Sequence, residues 1–164
     1  MTFSIDQFRL DGKVAIVTGA GGRGNSIGRA YAMGLAAAGA SVVVADINEE
    51  GAKAVAAEIT AAGGKALGVR TDITDQASVA AMADATEKAF GGVDILVNNA
   101  ALMVEIVATP AIQHTTEQWN RAFAVNVTGA LNCSQAVVPL MAKRGGGKII
   151  NQVSGGAFPA STVY

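Results

Sequence analysis

The segment Gly19 to Gly28 reads Gly-Ala-Gly-Gly-Arg-Gly-Asn-Ser-Ile-Gly and breaks an apolar strand pattern, Val14-Ala15-Ile16-Val17-Thr18. Glycines at 19, 22, 24 and 28 let backbone N–H groups approach a pyrophosphate. A helix opening through Ser26, Ile27 and Gly28 would present its positive end to the same group. Asp46 lies 18 residues past Gly28 and closes a second apolar run, Ser41-Val42-Val43-Val44-Ala45. There a carboxylate accepts from both hydroxyls of an adenosine ribose. It also repels a 2′-phosphate, so the layout favours NAD over NADP, although Arg23 in the turn would tolerate a phosphate. A glycine-rich turn alone is equally an ordinary tight turn. Strand before, helix after and acid beyond are the context that the dinucleotide fingerprint requires.

Other residues able to do chemistry fall at the ends of apolar runs. Asp72-Ile73 follows a third strand pattern, and Asn98-Asn99-Ala100 ends a fourth. Asp72 would either accept from an adenine amino group or cap a turn, and the asparagines offer the same choice. Asn126 lies seven residues from Trp119 on an apolar helical stripe. A buried amide there must find partners or cost about 1–3 kcal/mol. It either ties the helix to a neighbouring backbone or also holds a water near a reacting centre. Ser154 and Tyr164 stand ten residues apart across a loop with Gly155, Gly156 and Pro159. Unaided, they read as loop residues. His114 is the single histidine, with no metal or triad partner in view. Cys133 and Trp119 read as core.

The elements that must position these residues alternate strand with helix. The first helix has Ile27, Ala30, Tyr31, Gly34, Leu35 and Ala38 at helical spacing, with Gly39 as its stop. The second runs from about Glu49 to Ala62, the third from Asp75 to Phe90. Strands are expected at Ala66 to Arg70, Ile95 to Asn98 and Lys148 to Val153. A long helix opens at Thr115, where Thr115 and Gln118 suit a capping box, and its stripe runs from Trp119 to Met141. The expected fold is α/β, a Rossmann-type doubly wound parallel sheet with strand order 3-2-1-4-5. A ligand then sits beyond the carboxyl ends of the first and fourth strands, where the winding reverses.

The bulk numbers agree. The chain has 164 residues, 51% apolar and 15% charged, with a net charge of −1. Residues 1–164 are expected to form one domain with its own core. There is no basic run for nucleic acid, no apolar stretch long enough to span a bilayer and no signal-peptide core, so a cytoplasmic protein is expected. One cysteine excludes an intramolecular disulfide.

Taken in order, these residues resemble the short-chain dehydrogenase/reductase family over nearly the whole chain. Thr18-Gly19 with Ile27-Gly28 is similar to its cofactor loop, Asp46 to its NAD-selecting acid and Asp72-Ile73 to its adenine contact. Asn98-Asn99-Ala100 resembles its Asn-Asn-Ala-Gly element, with Ala101 in place of the glycine. Asn126, Ser154 and Tyr164 resemble its catalytic asparagine, serine and tyrosine. The resemblance implies hydride transfer between a nicotinamide cofactor and a ketone or secondary alcohol, with a small-molecule substrate and a homodimer or homotetramer. The tyrosine would exchange the substrate proton, the serine would hold the substrate oxygen and the asparagine a relay water.

Two departures stand out. The turn from Gly19 to Gly28 is longer than the usual family turn, and either Gly22 or Gly24 takes the place of the middle glycine. Ser26-Ile27 resembles the family's enoyl-thioester reductase branch, whereas Asn98-Asn99-Ala100 fits the ketone/alcohol branch. The sequence also stops at Tyr164, before the lysine that the family places one helical turn beyond its tyrosine. It therefore reads as an N-terminal portion. A polypeptide truly ending there would lack the cation that stabilises a phenolate and would be inactive, or a dinucleotide-binding module without catalysis.

Overall fold

The computed structural model describes residues 4–22, 24, 26–103 and 110–154. Five strands, β1 (Val14–Thr18), β2 (Ser41–Asp46), β3 (Lys65–Arg70), β4 (Ile95–Asn98) and β5 (Lys148–Asn151), form one parallel sheet. Its order is β3-β2-β1-β4-β5, as the sequence predicts. The helices are α1 (Ile27–Ala37), α2 (Glu49–Ala61), α3 (Gln76–Phe90), α4 (Thr116–Phe123) and α5 (Gly129–Lys143).

Alternation along the strands divides the core between the two faces of the sheet. Ala15, Val17, Val42, Val44 and Val97 pack with Ala32 of α1 and Ala52, Val55 and Ile59 of α2. Ile16, Val43, Ala45 and Leu96 pack with Val79 and Met82 of α3 and with Cys133, Val137 and Met141 of α5. Cys133 is the core residue expected, and burial pushes its thiol up to about 12. Side-chain caps open the helices: Ser26, Asn48 and Asp75 each accept from a first-turn amide, and Thr115 with Gln118 forms the full capping box.

The amino ends of the sheet are locked by Asp94. Its buried carboxylate accepts from the Val14 N–H at 2.8 Å, and the Arg144 guanidinium lies 3.0 Å away. Lys13 adds a looser charge at 3.5 Å. Burial alone would raise this carboxyl. The Arg144 and Val14 hydrogen bonds, with the two positive charges, outweigh it and hold the group below the ordinary carboxylate value. Arg144 also donates to the Gly12 carbonyl, so one side chain ties the start of β1 to the end of α5.

Four expectations are corrected. The inward side of α1 is Gly28 and Ala32, while Ile27 is 59% exposed. Small residues make the closest contact with the sheet, and Tyr31, Met33 and Leu35 pack against the same core while remaining partly exposed. Trp119 is not core. It is 58% exposed and stacks at a tilt on exposed Phe123, because α4 buries none of its residues against the described chain. The long helix is not continuous α-helix: one π-helical turn, Ala124–Thr128, separates α4 from α5. The fifth strand stops at Asn151 rather than Val153, and all of it is exposed. No helix among the described residues is long and apolar enough to cross a membrane.

Candidate functional site

The carboxyl ends of β1, β2 and β4 meet at the reversal point of the sheet, and the glycine turn lies over them. Thr18, the last residue of β1, organises the junction. Its buried hydroxyl donates to the Val97 carbonyl and accepts from the amides of Asn99 and Ala100, both at 3.1 Å. The Asn99 carboxamide then donates to the carbonyls of Thr18 at 2.9 Å and Gly19 at 3.1 Å. The turn is thereby fixed to β4 before it reaches α1.

Close backbone approach explains one glycine of the turn, and a left-handed backbone another. A Cβ on Gly28 would overlap the Gly19 carbonyl oxygen and stand 2.5 Å from Asn99 Nδ2. Gly24 has φ +68, a conformation that favours glycine, whereas Gly22 has no positive φ and sits under the Ser26 side chain. Of the two candidates for the middle position, Gly24 is therefore the one whose backbone needs glycine. Ser26 accepts from the Arg29 amide at 3.3 Å and caps α1, and Ile27 projects into solvent beside it.

Asp46 is held at the opposite lip. Its Oδ2 accepts from the Gly21 amide at 2.8 Å and its Oδ1 from the Asn48 amide at 2.9 Å. Asn48 caps α2 through Gly51, and a Cβ on Gly51 would overlap the Gly21 carbonyl. The acid, the turn and the start of α2 thus form one clasp. A carboxylate has about four acceptor positions. Two are used here, leaving room for two ribose hydroxyls. Turn amides and the α1 N-terminus for a pyrophosphate, with a preset carboxylate for a ribose, fit a dinucleotide.

The remaining predicted residues divide. Asp72 spends Oδ1 on the Thr74 amide and hydroxyl, at 2.9 and 2.7 Å. Those bonds, with the charge of Arg70, hold its carboxyl below its usual value. It is a turn cap, as the alternative reading had it, with Oδ2 unbonded among the described residues. Ile73 has its side chain buried against Gly129 of α5, so only its backbone remains for an adenine. Asn98 is buried, and its Nδ2 donates to Asn151 Oδ1 at 2.9 Å, joining β4 to β5. Ala100 contributes its amide to Thr18 and not a side-chain contact.

Asn126 lies in the π-helical turn and is exposed, not buried as its stripe position predicts. Its Oδ1 accepts from the Leu102 amide at 2.7 Å and its Nδ2 donates to the Leu102 carbonyl at 3.2 Å. The helix is thus tied to the segment that follows β4, and one N–H of the carboxamide is left over. Ser154 follows β5 and is exposed, and Tyr164 lies outside the described residues. Sequence reasoning missed Asn48, Gly51 and Leu102 as partners. Asn48-x-x-Gly51 carries the signature of a helix cap, while Leu102 gives no signal because it acts through its backbone.

The comparisons agree with this geometry. The short chain dehydrogenase family profile matches residues 13–164. An uncharacterised oxidoreductase of Mycobacterium tuberculosis is 51% identical over 155 residues, 94% of this chain and 61% of that protein. The D-threitol dehydrogenase of Mycolicibacterium smegmatis is 42% identical over 158 residues, 96% of this chain and 58% of its own. A solved 7 alpha-hydroxysteroid dehydrogenase, complexed with NADH and 7-oxo glycochenodeoxycholic acid, superposes with a TM-score of 0.88 at 41% identity, covering 98% of this chain and 60% of that one. The chain spans about three-fifths of the length of these relatives. Fold, glycine turn and family profile converge, and the chain belongs to the short-chain dehydrogenase family.

Proposed function

We propose that this chain is the cofactor-binding part of an NAD-dependent oxidoreductase acting on a ketone or secondary alcohol. The observation that carries the reading is the Asp46 carboxylate, preset at the end of β2 by the Gly21 and Asn48 amides. A bound nicotinamide supplies the hydride acceptor or donor.

The chain's own groups do the rest. Amides of the Gly19–Gly28 turn, with the α1 N-terminus, hold the pyrophosphate. Asp46 holds the ribose hydroxyls and disfavours a 2′-phosphate by charge. Asn99 and Thr18 keep the turn seated on β4. Tyr164 gives or takes the substrate proton at its hydroxyl, and Ser154 holds the substrate oxygen by a hydrogen bond. Asn126, its amide already fixed by Leu102, turns its remaining N–H to a relay water. A free phenol has a pKa of about 10, so a tyrosine working near neutrality needs a cation beside it. D-threitol and hydroxysteroids, acted on by relatives, belong in the substrate panel.

Isothermal titration of the full-length protein with NAD and NADP tests the cofactor assignment. Saturable binding with NAD the tighter ligand is expected. Failure to bind either dinucleotide overturns the reading.

A further inference from the structure

Asp46 and Arg70 are register partners on adjacent parallel strands, at the carboxyl ends of β2 and β3. Neighbouring strands lie about 4.8 Å apart, so opposite charges at such positions ordinarily meet. Here they do not. Both Asp46 oxygens are taken by the amides of Gly21 and Asn48, and Arg70 has no hydrogen bond or ion pair among the described residues.

The side of the sheet is fixed by alternation. Val42 and Val44 of β2 and Ala66 of β3 pack toward α2, whereas Val43, Ala45, Leu67 and Val69 pack toward α3. Asp46 and Arg70 continue the first set, so both stand on the α2 side, where the ribose would lie. A Cβ on Gly68 would stand 2.7 Å from backbone atoms of Ala52 and Lys53, so α2 lies flat on β3 and its first turn borders Arg70.

Two other carboxylates act on this cation. Glu49 is engaged by Lys53 at 2.7 Å, and Asp72 gives an oxygen to Thr74. Lys53 holds the Glu49 carboxyl down by hydrogen bond and charge, and Arg70 adds a smaller pull, as it does at Asp72. These partners leave the guanidinium exposed and unpaired at the rim of the ribose position.

We propose that Arg70 is a specificity-determining residue, a cation positioned to hold the 2′-phosphate of NADP and kept from doing so by the adjacent Asp46 carboxylate. This rests on the dinucleotide reading above. Guanidinium pairs with phosphate in a planar, two-bond geometry that suits the assignment. Cofactor choice is then a contest between neighbours on two strands, and neutralising Asp46 exposes a phosphate site that already exists.

The test titrates NAD and NADP into the full-length wild type, Asp46→Asn, Arg70→Gln and the double variant. The readout is the ratio of NADP to NAD affinity. Asp46→Asn is expected to raise that ratio by about tenfold or more, the scale of one charge-assisted bond, and adding Arg70→Gln to reverse most of the rise. Lys65→Gln removes a like charge at the far end of β3 and should leave the ratio unmoved. A double variant that keeps the gain of Asp46→Asn overturns the proposal while leaving the dinucleotide site intact. So does an Asp46→Asn protein that binds NAD with no gain for NADP. If Asp46→Asn does not fold, Asp46→Ser, alone and combined with Arg70→Gln, takes its place in the same comparison. A wild type that binds neither dinucleotide overturns both this proposal and the reading beneath it.

Discussion

The Asp46 carboxylate and the Gly21 amide, 25 residues apart in sequence, are joined at 2.8 Å across the mouth of the candidate site. This bond fixes the acid and the glycine turn relative to each other before any ligand arrives. Preorganisation of this kind means that less of the binding energy goes into ordering the site.

Asp46→Ala should therefore weaken NAD binding in two ways, by removing the ribose acceptor and by releasing Gly21. Loss of hydrogen bonds to a charged group is worth about 1.5–3 kcal/mol, or roughly ten- to hundredfold in Kd. Calorimetric titration measures it, and equal NAD affinity in variant and wild type would count against the ribose role.

Gly28 packs against the Gly19 carbonyl and Asn99. Gly28→Val must displace the turn, so dinucleotide affinity should fall by at least about tenfold, the scale of one lost hydrogen bond to a phosphate. Unaltered affinity would contradict the close-approach account of the loop.

Thr18 tests the link between β1 and β4. Thr18→Val removes one donor and one acceptor and leaves the Asn99 and Ala100 amides short of a partner, at a cost of about 1–3 kcal/mol. Thr18→Ser should restore most of it. Urea unfolding of the three proteins decides, and a Val variant as stable as wild type would show that the hydroxyl holds nothing.

Asp94 gives a pH signature. Its folded carboxyl is lowered, so its stabilising contribution is present above the unfolded pKa of about 3.9 and is lost as the pH falls through the lower folded value. Arg144→Ala should destabilise by about 3 kcal/mol near neutrality, the low end for a buried pair because Arg144 is partly exposed. The gap between wild type and variant should narrow in acid and close as the pH falls through the lowered folded value, where Asp94 becomes protonated in both. A gap that persists unchanged into acid would rule out the charge interaction as its source.

Much of this arrangement was legible in the residues, for physical reasons. Val42 to Ala45 is apolar without alternation, as a strand covered on both faces must be, and the strand order followed from right-handed crossovers. Thr115 and Gln118 announced their cap. Periodicity misled where apolar side chains face outward: it cannot tell a stripe that is covered from one that is not, and so Trp119 and Ile27 were read inward. The bond from Asn98 to Asn151 was not legible, because a pair of asparagines at a strand end looks the same whether the amide turns to a ligand or to the next strand. The Asn126 tie to Leu102 and the clasp of Gly21 with Gly51 join segments far apart in sequence through backbone atoms, which residue types do not reveal.

The measurement that bears most directly on the central proposal is NADH formation by the full-length protein from NAD and a panel of secondary alcohols, including D-threitol and 7α-hydroxysteroids, compared with Tyr164→Phe. Turnover with at least one alcohol is expected, abolished by the substitution while NAD binding persists. NAD binding without turnover on any member of the panel, or turnover untouched by Tyr164→Phe, would contradict it.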